Sequence, residues 1–416
     1  MKRRQFLRNM MALPLATGSF LYGNPDSFIN KAHAAISGKT LVVIFQRGGC
    51  DGLNVVVPYA DENYYNLRPT IAIPAPTGAA DSALNLDGFF GLHPGLSPLH
   101  QLYQSGVVGV MPAVHYENAS RSHFDSQDYI ESAVYGGAND GWLNRHLTNQ
   151  YLDNFEQAGA IRAVSFGNDL AHSLRGSTSV LSFNDLSSFS FNNISPQYFN
   201  NLQAVYNQSV STEHKNRLLV HQDGRLMLAK LQNIMDISSN QYTPENNVTY
   251  PGNSYGNQLQ QVAQLIKSNV GLELATVSLG GWDTHTNQGG VTGTQANRLN
   301  NFSSGIHALY HDLGQNMDDV VILTMTEFGR TAKQNASAGT DHGNASSWFV
   351  IGNSVRGGIY GDWPGLQTEQ LYRERYLAHN IEYTDVFAEV LVNHLQNTNL
   401  SSVLPGQNYQ PIGFLS

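Results

Sequence analysis

Residues 40–54 read TLVVIFQRGGCDGLN. A β-branched apolar run ends abruptly in glycines around a single acid. An apolar run of this length without polar alternation suits a strand covered on both faces, and so a parallel sheet between helical layers. Four more runs repeat the pattern: VVGVM at 107–111, LATVSL at 274–279, VVILTM at 320–325 and WFVIG at 348–352. Between and after them, helical periodicity covers 94–104, roughly 123–134, 255–269, 295–316 and 384–395. Strands alternating with helices predict an α/β fold with a mostly parallel central sheet, whose ligands gather beyond the carboxyl ends of the strands.

Each strand end carries polar residues suited to chemistry. After the first, Asp51 stands among Gly48, Gly49 and Gly52; alone it reads first as a turn residue, and only with the other strand ends as a ligand. After the second comes HYENASRSHFDSQDYIES, where Ser122 and Asp125 have capping-box spacing. A serine at a helix N-terminus also lies near free backbone N–H groups and the positive end of the dipole, where a phosphate or sulfate is held, so cap and nucleophile are compatible roles. Ser120 competes with Ser122 for the helix start. Arg121 could balance an anion, and His123 either faces the core or supports a ligand. After the third strand, GGWDTHTNQGG (280–290) sets Asp283 and His285 two apart, on one face of an extended chain. After the fourth, TEFGRTAKQNASAGTDHGNASSWFVIG supplies Glu327, Arg330, Asp341 and His342. Acid and imidazole clusters at successive ends of one sheet predict a metal site, and the mixture suits zinc or manganese better than calcium, which prefers oxygen alone.

The start of the chain, MKRRQFLRNMMALPLATGSFLYG, pairs Arg3 and Arg4 ahead of a modest apolar segment that runs to Ala32-His33-Ala34. It resembles a twin-arginine export signal. Residues 1–34 are therefore expected to be a signal peptide, recognised by the twin-arginine machinery and cut near Ala35, which would place residues 35–416 in the periplasm or outside the cell. No later run is long and apolar enough to predict a stable membrane span in the mature chain. Residues 1–34 carry five Lys/Arg and one Asp, so the remainder has 18 basic and 31 acidic residues and a formal net charge of −13. That balance, without a basic stripe or a nucleic-acid-binding signature, excludes nucleic acid as an expected partner. Cys50 is the single cysteine, so no internal disulfide can form. Residues from about 180 to 254 are rich in Asn, Ser and Gln around a helical stretch near 213–236, and read as an insertion or cap over the sheet edge or, equally, as a plain surface excursion.

RGGCDGLNVVVPY, RSHFDSQDY, GGWDTHTNQ, TEFGRT and TDHGNASSWFVIG, in that order, resemble an exported bacterial family known as domain of unknown function 1501. That family is grouped with the alkaline phosphatase and sulfatase superfamily. The resemblance implies an alkaline phosphatase-like three-layer sandwich that hydrolyses phosphate or sulfate monoesters with one or two divalent metal ions (Zn, Mn, Mg or Ca). It implies Asp51, Asp283, His285, Glu327, Asp341 and His342 as ligands, Ser122 as nucleophile, and Arg121 or Arg330 as clamp on the transferred group. A small-molecule or glycan ester would be the substrate. Two differences from the superfamily's phosphatases are visible: Asp283 and His285 are two apart where four is the pattern, and Glu327 is followed by Phe328 where an Asp-His pair stands. Cys50 lacks the Cys-x-Pro-Ser-Arg context of a formylglycine and reads as small filler. Two other functions fit the residues: a non-catalytic exported protein that holds a metal and binds a carbohydrate or cell-surface partner, and a phosphotransferase or mutase.

Overall fold

The computed structural model describes residues 38–150, 161–186, 196–209 and 215–415. Its centre is a nine-stranded sheet made of β1 (Thr40–Arg47), β2 (Val108–His115), β3 (Ala163–Phe166), β4 (Leu181–Phe183), β5 (Leu274–Gly280), β6 (Val320–Met325), β7 (Ser346–Ile351), β8 (Gly358–Ile359) and β9 (Ile381–Glu382). The spatial order is β8–β2–β7–β6–β1–β5–β3–β4, with β9 also paired to β2. β1 is central, parallel to β5 on one side and to β6 on the other. Among the described strands of this sheet, β7 alone runs antiparallel, to both β2 and β6.

Period-2 alternation sends the residues of the buried strands into two cores. Val42 and Ile44 of β1, with Val320 and Ile322 of β6, face helices α1 (Ser97–Gln104), α6 (Ser254–Lys267) and α7 (Thr294–Leu313). Leu41, Val43 and Phe45, with Val321, Leu323 and Met325, face α2 (His123–Ser132), α3 (Trp142–Asn149) and α8 (Tyr383–Glu389), where Trp142 stacks on Phe387 at 4.2 Å. The molecule is therefore an α/β three-layer sandwich. Each predicted strand and helix is present. β3, β4 and α3 add to them: the two strands are only four and three residues long, and α3 (WLNRHLTN) is largely polar.

Within 180–254 the structure describes α4 (Pro196–Tyr206) and α5 (Lys215–Ser239), and parts of that stretch, like residues 1–34, lie outside the described residues. The chain after α5 is tied down by Asp312, whose buried carboxylate accepts hydrogen bonds from Tyr242 and Tyr250 hydroxyls, Lys267 Nζ and Glu245 N. Among the described residues no helix is long and apolar enough to cross a membrane.

The exception in strand direction positions the site. Because β7 runs against its neighbours, the residues that precede it arrive at the same edge as the residues that follow β1, β2, β5 and β6. Asp341 and His342 thus reach the rim where Asp283 and Glu327 emerge.

Candidate functional site

The rim is assembled by close backbone approaches. Gly48, just past β1, has φ +123, and a Cβ there would lie 2.6 Å from Asp283 N, so only glycine lets the two strand ends meet this closely. Its N–H donates to Glu327 Oε1 at 2.8 Å. The turn after β5 docks on the loop before β7: Asn287 N and Gln288 N donate to the Ser337 and Ala338 carbonyls, and Thr340 N donates to Thr284 O. Arg330 pairs with His342 in an isolated antiparallel bridge. Helix α2 begins at the same rim, with Ser122 as its N-cap.

Three imidazoles and one carboxylate converge there. Asp283 Oδ1 lies 2.9 Å from His285 Nε2 and 3.2 Å from His342 Nε2, and Asp283 Oδ2 lies 3.4 Å from His123 Nε2. His285 Nε2 and His342 Nε2 are 3.0 Å apart. The other nitrogen of each ring meets an oxygen: His123 Nδ1 meets Glu327 Oε1 at 2.8 Å, His285 Nδ1 meets Asp341 Oδ1 at 3.0 Å, and His342 Nδ1 meets the Arg121 carbonyl at 2.8 Å. Arg330, buried, donates from Nη1 to Asp283 Oδ1 at 2.7 Å and from Nη2 to Thr340 O. Gln127 Nε2 donates to Glu327 Oε1 at 2.9 Å.

The electrostatics keep the acids ionised. Burial pushes the Asp283 carboxyl up, but the hydrogen bond and charge of Arg330 outweigh it and hold the group below its ordinary value. Glu327 is fully buried, yet the hydrogen bonds from His123, Gln127 and Gly48 more than offset desolvation and lower it too. Asp341 is lowered chiefly by its bond to His285. His342 is lowered, mainly by burial, and His123 is raised by its bond to Glu327 against burial.

The expected residues divide accordingly. Asp283, His285, Asp341, His342, Glu327 and Arg330 come together. Asp51 does not join them as a free ligand: both its oxygens accept from the buried guanidinium of Arg68, at 2.6 and 2.8 Å, and Oδ2 also accepts from Gln288 Nε2 at 2.6 Å. A buried carboxylate needs such a partner, and the chain supplies one from seventeen residues on. Arg330, expected as a clamp on substrate, is directed at Asp283. Ser122 Oγ accepts from Asp125 N at 3.5 Å as a cap, and Ser120 Oγ donates to Asp125 Oδ2. Arg121 lies 4.9 Å over the Tyr376 ring, with its Nη1 buried and without a hydrogen-bond partner. His123 belongs to the cluster on an equal footing with His285 and His342. Its place one residue past the helix cap, in the segment that follows β2, is the signal that marks it. His93 and His172 are held by local hydrogen bonds elsewhere, and Cys50 and Trp282 are buried in packing.

The residues present fit a divalent cation. His123 Nε2 is buried with no hydrogen-bond partner while directed at Asp283, and His123, Asp283 and His342 offer ligand atoms all within 4.8 Å of one another. Imidazole with carboxylate is a donor set for zinc, manganese or iron.

A fold with an acid–imidazole rim at the carboxyl ends of a mostly parallel sheet defines the class, an α/β protein with a candidate metal centre. Residues 112–405 match the family described as Protein of unknown function (DUF1501), and the chain belongs to that family. No curated protein gives a significant match. Among solved structures, Ps i-CgsB in complex with k-i-k-neocarrahexaose aligns with TM-score 0.42 and 11% identity over 89% of this chain and 75% of that one. The lipoteichoic acid synthase LtaP from Listeria monocytogenes aligns at 0.29 and 11% over 99% and 80%. The phosphonate monoester hydrolase of Agrobacterium radiobacter aligns at 0.27 and 12% over 89% and 79%.

Proposed function

We propose that this protein is an exported, metal-dependent hydrolase of phosphate or sulfate monoesters, alkaline phosphatase-like in kind, with Ser122 as its nucleophile. The observation that carries the reading is the placement of Ser122 at the N-terminus of α2, between Arg121, whose carbonyl holds His342, and His123, itself part of the cluster. A divalent cation bound by the cluster would supply Lewis-acid stabilisation of the ester oxygens. Arg121 Nη1 offers a donor free of protein partners, and the first turn of α2 offers unpaired N–H groups; both favour an anionic group at Ser122. Arg330 fixes the Asp283 carboxylate. Ser122 Oγ bonds to phosphorus or sulfur as the bond to the alcohol or phenol oxygen breaks, the serine proton passing to that leaving oxygen, and water then hydrolyses the seryl ester to free serine and phosphate or sulfate. The substrate is a small-molecule or glycan ester.

The test is turnover of an aryl phosphate and an aryl sulfate by protein of known metal content. Ser122→Ala is expected to lower kcat by about a thousandfold while costing about 1 kcal/mol of stability for the lost cap. Unchanged turnover removes Ser122 from the mechanism. The engagement of Ser122 Oγ as a helix cap favours a second reading, a metal-holding binding protein without catalysis; firmly held metal with no turnover across the panel selects it. Export is tested by replacing Arg3 and Arg4 with lysines, which is expected to keep the chain in the cytoplasm.

A further inference from the structure

We propose that the site holds one transition-metal ion, bound by three imidazole Nε2 atoms, of His123, His285 and His342, and by the carboxylate of Asp283, with Glu327, Asp341 and the Arg121 carbonyl acting only on the far side of the rings. This rests on the metal-dependent reading above and deepens it by fixing the ligands, the number of ions and their class.

The ring tautomers follow from the acceptors. A carboxylate or carbonyl oxygen opposite Nδ1 requires the hydrogen on Nδ1, and all three rings have one. In its neutral form each ring therefore turns a bare Nε2 lone pair toward Asp283. For His285 and His342 the two lone pairs face one another at 3.0 Å, an arrangement that only a cation, or a proton in its place, makes favourable. Distance supports the same answer. With bonds of about 2.05 Å, neighbouring ligand atoms are about 3.3 Å apart in tetrahedral and about 2.9 Å apart in octahedral coordination. Four of the six separations among these groups, 2.9, 3.0, 3.2 and 3.4 Å, fall in or next to that interval, and His123, Asp283 and His342 offer ligand atoms within 4.8 Å of one another. Imidazole backed by carboxylate is also how proteins fix ring orientation and raise ligand basicity.

The same geometry excludes two other arrangements. Glu327 is fully buried, its Oε1 already accepts from Gly48 N, His123 Nδ1 and Gln127 Nε2, and its Oε2 accepts from Thr326 Oγ1, so it orients His123 rather than serving as a ligand. Asp51, the carboxylate that could have served a second ion, has its oxygens filled by Arg68 and Gln288; the guanidinium provides there the positive charge that another cation would bring. Three nitrogen donors also discriminate against magnesium and calcium, which take oxygen.

Full-length protein purified without chelator, and the same protein stripped and titrated with Zn2+, Mn2+, Mg2+ and Ca2+, gives stoichiometry by elemental analysis and affinity by calorimetry. One ion per chain, with zinc or manganese bound far more tightly than magnesium or calcium, is the expected result. His123→Ala should weaken binding by more than about 100-fold, and Glu327→Gln and Asp341→Asn by about 10- to 100-fold. Electron spin-echo spectroscopy on the unsubstituted protein loaded with Cu2+ should detect three imidazole nitrogens, which keeps the ligand assignment testable if a variant does not fold. Two ions per chain, calcium bound as well as zinc, or fewer than three imidazoles overturns this proposal while leaving a metal-dependent hydrolase intact. No ion bound under any condition overturns both.

Discussion

Gly48 shows how one residue holds the site together. Its backbone lies where a side chain would strike the Asp283 amide at 2.6 Å, and its φ of +123 is strained for any residue with a Cβ. Gly48→Ala is expected to cost more than about 1 kcal/mol and to lower metal affinity, because relief of the clash moves Asp283 off the three rings. Urea denaturation and metal titration of the variant read the two effects separately. Arg68 gives a contrasting prediction. It is fully buried against Asp51, and Arg68→Ala leaves that carboxylate unpaired, at a cost of about 3–5 kcal/mol. Metal stoichiometry in the surviving folded protein should stay at one, and removing Asp51 as well should recover part of the lost stability.

At the scale of elements, α8 runs on into a π-helical turn, Val390–His394, which closes one face of the sheet and ends at β1. His394 Nε2 lies 2.9 Å from the Thr40 carbonyl in a buried setting, and burial pushes its pKa down to about 4, with the Thr40 bond opposing. An unfolded histidine titrates near ~6.5, so between there and pH 4 the unfolded chain binds a proton that the folded chain refuses. Stability contributed by this group is full above pH ~6.5 and is lost as pH falls through that window, by an amount on the order of 3 kcal/mol. His394→Gln should flatten that part of the stability–pH curve, measured by urea melts at pH 7 and pH 4.5. The elements themselves were legible where the chain spoke in long apolar runs: the runs at 40–45, 274–279 and 320–325 fall on β1, β5 and β6 because strands buried on both faces read as near-continuous apolar runs, broken here only by the hydroxyls of Thr40, Thr276, Ser278 and Thr324. The direction of β7 was not legible, since an apolar run carries no sign of which way its neighbours point. Asp283, His285, Glu327 and His342 could be read as one site from their places at strand ends. The role of Asp51 could not, because its partner Arg68 lies in a short helical segment's C-cap with nothing in the local sequence to mark it as buried. His123 was overshadowed by the serine before it.

Across the whole molecule, the cluster joins the start of α2 and the end of β5 to the single connection between β6 and β7. A cation bound only by the folded state adds RT ln(1 + [M]/Kd), about 4 kcal/mol at a thousandfold excess over Kd. Chelation should therefore lower Tm by several degrees, and zinc added back should restore it; differential scanning calorimetry in the two buffers is the check. The sheet order has a further result for how the chain is made. β1 is among the earliest described segments to leave the ribosome, yet both strands that flank it come from far downstream: Leu41 pairs with Leu274 and Thr40 with Val320. Until that distant half is synthesised, an apolar ribbon waits with two open edges, a natural client for chaperones and a seed for aggregation. Nascent chains arrested before Met325 should accordingly be captured by holdases, and release should follow once β6 has emerged.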